Sequence, residues 1–139
     1  MAGRQFKFRL SARYHSAENQ IADMRYENWT RDGWQSYDPE NYTAGFLILL
    51  YAVLNCQHNF FRNKAAERGL QIERAEGRLE ADTGEEWNLT RLHIHIDGTL
   101  ASGKPTPDDI DYIVDRMMGC PVSVNVAPIP DLKTTIGFK

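Results

Sequence analysis

One apolar stretch constrains the fold of this chain more than any other feature. Almost every residue from position 44 to position 54 is apolar. A helix formed here is therefore hydrophobic on all of its faces and has to be covered on all sides. At about eleven residues the run is well short of the roughly twenty needed to cross a bilayer. The run thus predicts a helix that is buried in the core of a globular protein.

The predicted helix extends beyond this run. Thr43 can cap its start, residues 59–68 are amphipathic and charged, and Gly69 can supply a left-handed stop. A continuous helix of about 26 residues would be roughly 39 Å long at 1.5 Å per residue. That is longer than a domain of this size can easily cover alone. A polar cluster at residues 55–58, which includes one of the two cysteines, lies in the middle of this helix.

Composition and charge limit the classes of function. The chain has 139 residues, which suits a single domain over residues 1–139, and its net charge is −3 without any long Lys/Arg cluster. A nucleic-acid or membrane-surface partner is therefore not indicated. The N-terminus lacks the apolar core of a signal peptide, so we expect a cytoplasmic protein. Two cysteines in a reducing compartment argue against a structural disulfide and are too few for a zinc finger.

Three strands are predicted before the long helix. Residues 6–14 alternate strictly between apolar and polar, which is typical of a half-buried strand. Residues 21–29 form a second strand, and residues 34–37 return as a short third strand after a turn. In the second strand we expect these side chains to face inward: Ala22, Met24 and Tyr26.

After the long helix the chain becomes extended again. Residues 70–81 and residues 87–100 are predicted to form a long antiparallel hairpin. Thr106 then caps a second helix that ends at Gly119, and residues 133–138 form a last strand. The buried stripe of the second helix is predicted to consist of Ile110, Ile113, Val114 and Met117. This order of elements predicts a single α+β domain rather than a parallel βαβ fold.

The two cysteines occupy distinctive positions. Cys56 follows the apolar run, and Cys120 comes 64 residues later, directly before Pro121. On position alone, two unrelated buried thiols are an equally good interpretation, since free cysteine is among the most buried residue types. The arrangement resembles the superfamily of osmotically inducible protein C and organic hydroperoxide resistance protein (OsmC/Ohr). Members of that family carry one cysteine in a long apolar helix and a second in a Cys-Pro element after the next helix, and the Arg-Gly-Leu turn at residues 68–70 resembles their exit from the long helix.

The resemblance implies an intertwined homodimer in which antiparallel sheets wrap around a long central helix from each copy. It also implies a thiol peroxidase that acts on apolar organic hydroperoxides without a cofactor or a metal. Cys56 would be the attacking thiol that becomes a sulfenic acid, and Cys120 the resolving thiol that condenses with it to a disulfide. A dithiol such as dihydrolipoamide would then reduce that disulfide.

The sequence departs from the family at the groups that would activate the thiol. A thiol in an apolar helix needs a cationic neighbour to ionise, and the family supplies an arginine held by a glutamate about ten residues before the first cysteine. Here that position is Phe46, and Glu40 lies about six residues too early to take the role. His58 points to roughly the opposite side of the helix from Cys56. Three arginines lie in the region where the activating one is expected: Arg13, Arg25 and Arg31.

Two other functions are consistent with the sequence. The missing glutamate favours an OsmC-like dimer that binds an apolar small molecule at its interface, in a pocket lined by Phe46, Tyr51 and tryptophans. Trp29 and Trp34 are expected either to pack or to wall such a pocket. A third interpretation places a metal on His93 and His95, although a solvated polar strand face explains these histidines better.

Overall fold

The computed structural model describes residues 3–40 and 44–139. In chain order the elements are β1 (Gln5–His15), β2 (Gln20–Thr30), β3 (Gly33–Ser36), α1 (Gly45–Glu67), β4 (Gln71–Thr83), β5 (Leu89–Ser102), α2 (Pro107–Met118), a 3-10 turn (Ser123–Asn125) and β6 (Asp131–Phe138). The strands form one sheet of six, in the order β3-β2-β1-β4-β5-β6. The predicted helices and strands are confirmed, with small differences at their ends.

The sheet is mixed, so the prediction of purely antiparallel sheets is wrong at one edge. β6 runs parallel to β5, with Leu92 opposite Leu132 and Ile94 opposite Thr134. The reason is that α2 carries the chain from the end of β5 back to its beginning, which is the crossover that a parallel pair requires. The chain therefore contains a βαβ unit, formed by β5, α2 and β6, which was not predicted from the sequence. The strands of one chain also make one sheet with α1 on one face, rather than several sheets around the helix.

One side of α1 packs on the sheet. The side chains of this helix that are buried recur at spacings of three and four residues, which is the pattern of a helix covered on one side. They are Leu50, Val53, Leu54, Gln57, His58, Phe61 and Ala65. The sheet face that they contact, called the inner face below, carries the buried side chains of β1: Phe8, Leu10, Ala12 and Tyr14. This stripe holds α1 in a fixed rotation and so determines which way Cys56 points.

The other side of α1 remains uncovered within one chain. Leu49 is 38% exposed, while Ile48 and Ala52 are only half-buried. The expectation that the apolar run is covered on all sides is therefore met on the sheet side only. No helix within residues 3–40 and 44–139 is long and apolar enough to cross a membrane.

A β-bulge changes which residues of β2 face inward. Arg13 pairs with Asp23 while the next residue, Tyr14, pairs with Ile21, so Ala22 is left without a partner in the ladder. The bulge puts Ile21 rather than Ala22 on the inner face. Tyr26 is buried as predicted. Met24 lies opposite Ala12 on the inner face as predicted, although it remains 36% exposed, whereas Ala22 is exposed and its prediction is wrong.

The end of α1 follows its sequence signal. Gly69 has φ +76, its N–H donates to the Ala66 carbonyl (3.0 Å), and the Leu70 N–H donates to the Ala65 carbonyl (2.9 Å). These are the two bonds of a Schellman motif, which confirms Gly69 as the stop. The helix has 23 residues rather than the 26 expected. The predicted cap Thr43 lies outside the described residues.

The start of α2 also follows its sequence signal. The Thr106 hydroxyl accepts from the Asp109 N–H (3.1 Å), and the Asp109 carboxylate accepts from the Thr106 N–H (3.0 Å). This reciprocal pair is a capping box, which satisfies two N–H groups that a helix start otherwise leaves unpaired. Within the predicted stripe, Ile113 and Met117 are buried and the other two members are half-buried.

Candidate functional site

The fold brings the two cysteines together. Cys56 lies half-buried in α1, and Cys120 lies fully buried directly after Gly119, the residue that ends α2. Both are free thiols, and they lie close enough together for Cys120 to raise the pKa of Cys56. The predicted site residues therefore form one thiol pair, although they are 64 positions apart along the chain.

Antiparallel packing of the two helices produces this contact. The Arg68 guanidinium at the end of α1 pairs with the Asp109 carboxylate at the start of α2 at 2.8 Å. From that point, Cys56 lies twelve positions back along α1 and Cys120 lies eleven positions forward past α2. Because each helical residue rises by about 1.5 Å, two antiparallel segments of nearly equal length end at the same level. The ion pair and the thiol pair therefore lie at opposite ends of the same contact between α1 and α2.

A buried chain of polar side chains adjoins Cys120. The Thr134 hydroxyl donates to Gln57 Oε1 (2.9 Å), and Gln57 Nε2 donates to Ser123 Oγ (2.9 Å). The Cys120 thiol also donates to Ser123 Oγ (2.9 Å), and the Ser123 N–H donates to Cys120 Sγ (3.2 Å). Gln57, Ser123 and Thr134 are all buried. We call these three residues the polar chain.

Sequence reasoning missed the polar chain. Gln57 follows Cys56 directly, and Ser123 follows Cys120 by three residues, so both are close to the cysteines in sequence. The signal available was that a polar side chain beside an apolar run must find a partner if it is buried. Identifying Thr134 as the end of the chain required the position of β6 in the sheet.

The surroundings of Cys56 oppose its ionisation. Burial raises the pKa of Cys56 to about 11, and the neighbouring Cys120 thiol acts in the same direction. A hydrogen bond from the Val122 backbone lowers the pKa but does not offset these effects. With a pKa of about 11, roughly one molecule in ten thousand carries the thiolate at neutral pH.

The candidate activating arginines do not reach this thiol. Arg13 forms an ion pair with Asp23 on the outer face of the sheet, which points away from α1. Arg25 also lies on that face, since it is opposite Ser11 in the ladder, and Arg31 lies in the exposed turn after β2. Among residues 3–40 and 44–139, no cation contributes to the pKa of Cys56.

His58 is turned toward the sheet. Its Nε2 lies 2.6 Å from the Tyr14 hydroxyl, and burial, with a smaller effect of Arg62, lowers the pKa of His58 to about 3. The imidazole is therefore uncharged at neutral pH and offers neither a positive charge nor a base to Cys56.

The predicted aromatic pocket is not assembled within one chain. Phe46 packs against Trp87 with ring centroids 5.3 Å apart. Tyr51 instead packs on two other tyrosines. Trp29 and Trp34 pack edge to face, with ring centroids 5.4 Å apart, on the outer face of the sheet. These groups lie in three separate clusters, so the sequence-predicted pocket lining does not come together here.

The two strand histidines belong to a polar network on the outer face. His93 Nε2 lies 2.8 Å from Asp131, and His95 Nε2 lies 2.8 Å from Asp97. His95 Nδ1 lies 2.6 Å from the Thr135 hydroxyl. Within the described part of the chain, no group of three or more His, Cys, Asp or Glu side chains is placed to hold a metal ion. This geometry favours the solvated strand face over a metal site.

Comparisons with known proteins identify the fold. No protein-family model matches the sequence, and no curated protein sequence matches it. Among solved structures, an OsmC-like protein from Mycoplasma pneumoniae is similar over 83% of this chain and 87% of its own, at 13% identity and a TM-score of 0.53. An OsmC-like hydroperoxide resistance protein from Jannaschia sp. CCS1 is similar over 88% and 87%, at 12% identity and 0.57. A hypothetical protein from Aquifex aeolicus VF5 is similar over 94% of both chains, at 15% identity and 0.60. The chain therefore has an OsmC-like fold, which confirms the resemblance at the level of the fold.

Proposed function

We propose that this protein is a thiol peroxidase that reduces organic hydroperoxides through Cys56 and Cys120. The observation that carries the proposal is the contact between two free thiols that the fold brings together from distant parts of the chain. A sulfenic acid next to a second thiol closes to a disulfide instead of oxidising further. The hydroperoxide resistance protein among the structural neighbours supports the substrate class.

The proposed cycle has three steps. The Cys56 thiolate attacks the terminal oxygen of the hydroperoxide, the O–O bond breaks, and an alcohol leaves after taking up a proton. The Cys120 sulfur then attacks the Cys56 sulfenic acid, which forms the disulfide and releases water. A cytoplasmic dithiol such as dihydrolipoamide restores both thiols and is itself oxidised to a disulfide. Cys56 is the attacking thiol because it is half-exposed, whereas Cys120 is fully buried.

We further propose that the protein works as a homodimer. The uncovered side of α1 is apolar around Leu49 and Ala52, and a second copy would bury it against its own α1. The cation that Cys56 lacks within one chain would then have to come from the second copy.

The deciding experiment is the free-thiol content measured by intact mass after one equivalent of cumene hydroperoxide. We expect rapid loss of both thiols in the wild type, a trapped sulfenic acid in Cys120→Ser and no reaction in Cys56→Ser. Thiols that stay reduced for minutes in the wild type would exclude the peroxidase.

The raised pKa of Cys56 favours one alternative, an OsmC-like dimer that binds an apolar small molecule without turning over peroxide. Its most suitable contact surface is the cluster of Phe6, Phe46 and Trp87, because Trp87 remains 45% exposed beside two packed phenyl rings. Binding there would change the fluorescence of Trp87. A Trp87→Phe variant, which keeps an aromatic ring but removes this indole, should lose that change.

A further inference from the structure

The polar chain gives Cys120 surroundings that Cys56 does not have. Ser123 Oγ accepts one hydrogen bond from Gln57 and one from the Cys120 thiol, so neither contact uses the hydrogen of the Ser123 hydroxyl. A serine hydroxyl rotates to suit its partners. Once Cys120 loses its proton, this hydrogen can turn toward the sulfur. The Ser123 N–H already donates to the same sulfur, so an anionic Cys120 would receive two hydrogen bonds from one residue.

The orientation of the Gln57 amide decides whether Ser123 can donate in this way. With Nε2 toward Ser123, the amide only donates to Oγ and leaves the serine hydrogen free. With the amide turned over, Oε1 would accept that hydrogen and compete with the sulfur. In this structure the Thr134 hydroxyl donates to Oε1 from the other side, which goes with the first orientation of the amide.

We propose that Ser123 stabilises the thiolate of Cys120, with Gln57 and Thr134 as positioning residues, and that this makes Cys120 the leaving group when the disulfide is reduced. The inference rests on the proposed disulfide cycle. A reductant thiolate attacks the sulfur of Cys56, a new S–S bond forms to Cys56, and the Cys56–Cys120 bond breaks. The electron pair leaves on Cys120, where the two donors of Ser123 receive it.

Burial directs the attack to Cys56, while the hydrogen bonds from Ser123 favour departure of Cys120 by offsetting the cost of a buried thiolate. Cys120 is fully buried, so an external thiolate reaches Cys56 first. In thiol–disulfide exchange, the sulfur that is more stable as a thiolate leaves faster. Attack at the exposed sulfur and departure of the hydrogen-bonded one are therefore combined in a single step. The second thiol of the dithiol then attacks the mixed disulfide and releases Cys56.

The test measures the Cys120 thiolate directly. In a Cys56→Ser background, the ultraviolet absorbance of the thiolate is followed against pH, and a variant that lacks both cysteines supplies the baseline. We expect Ser123→Ala to move the half-point of this curve upward by about one to two pH units, because a hydrogen bond to an anion is lost. Ser123→Thr keeps the hydroxyl and should restore most of the difference.

A second variant guards against misfolding of Ser123→Ala. Thr134→Val has nearly the same shape but frees the Gln57 amide to turn over, so we expect a smaller shift in the same direction. With both cysteines present, Ser123→Ala should also slow reduction of the disulfide by dithiothreitol by about threefold to tenfold. A monothiol should be trapped on Cys56, as seen by peptide mass.

The outcomes separate this inference from the proposed function. Unchanged titration in Ser123→Ala, or a monothiol trapped on Cys120, would overturn the inference even in an active peroxidase. A wild type that does not react with hydroperoxide would exclude the peroxidase activity. A titration shift caused by Ser123→Ala in the Cys56→Ser background would still establish that Ser123 stabilises the Cys120 thiolate.

Discussion

The two sides of α1 differ in how they are covered. The side toward the sheet is fully buried, and its polar members have partners: Gln57 bonds to Ser123 and Thr134, and His58 bonds to Tyr14. The other side is apolar around Leu49 and yet remains uncovered within one chain. Two polar side chains of α1 are thus buried among apolar ones, while an apolar patch on the other side of the helix is open to water.

The candidate site lies at the boundary between the two sides. Cys56 is half-buried because it lies between the covered stripe and the open side. Its contact with Cys120 is on the covered side, where the polar chain lies. A reagent has to approach from the open side. Reagents therefore reach the thiol pair from one side of α1, while the hydrogen bonds that stabilise the pair lie on the other.

The largest effect should come from removing volume on the covered side. Phe61 is fully buried and stacks on Phe138 with centroids 5.5 Å apart, so Phe61→Ala should cost about 3–5 kcal/mol of unfolding free energy. Phe60→Ala is the matched control. The ring of Phe60 is only half-buried, so its removal should cost clearly less unfolding free energy. Urea denaturation measures both. Equal losses would show that the two sides are equally covered in solution.

The next effect concerns His58 and acid. The pKa of His58 falls from 6.5 to about 3 on folding. Below about pH 6.5, His58 is therefore protonated in the unfolded chain but not in the folded chain. Stability is then lost as the pH falls, by about 1.4 kcal/mol per pH unit down to about pH 3. The double variant Tyr14→Phe/His58→Leu should show a shallower decline by this amount in denaturation between pH 6 and pH 4. Parallel curves would contradict the burial of His58.

A third effect tests whether a cation reaches Cys56 from the open side of α1. With a pKa of about 11, alkylation of Cys56 by iodoacetamide should rise about tenfold per pH unit, or a hundredfold from pH 7 to pH 9. Free cysteine, whose pKa is about 8.5, is the control and levels off earlier. Peptide mass assigns the label to Cys56. A plateau near neutral pH would mean that a cation from a second copy reaches the thiol.

Most of the fold was predictable from sequence because its signals are local. Strict alternation identified β1, the Thr106 cap identified the start of α2, and Gly69 identified the end of α1. The parallel pairing of β6 was not predicted, because the pattern of a short strand carries no direction. The bulge at Ala22 also escaped prediction, since one unpaired residue leaves no compositional mark.

The candidate site was predictable only in part. Cys56 and Cys120 lie at nearly equal spacings along the two helices from the ion pair of Arg68 with Asp109, and a sequence can reveal this relation once the helices are taken as antiparallel. The polar chain depends on three elements meeting in the core, so its members had no common local signal. The rotation of α1 on the sheet, set by its whole buried stripe, decides that Gln57 rather than Asn55 points inward.

The smallest effect on folding, and the sharpest test of the open side, is a charge at Leu49. Because this side chain is 38% exposed in one chain, Leu49→Arg should change the unfolding free energy of the monomer by no more than about 0.5 kcal/mol. It should nevertheless abolish the proposed homodimer in sedimentation velocity, since a second α1 would have to bury the guanidinium. Met118→Arg, at a side chain that is 36% exposed on α2, is the control and should leave the assembly unchanged. If Leu49→Arg sediments like the wild type, then the open side of α1 is not where two copies meet, and the cation missing from Cys56 cannot come from a partner seated there.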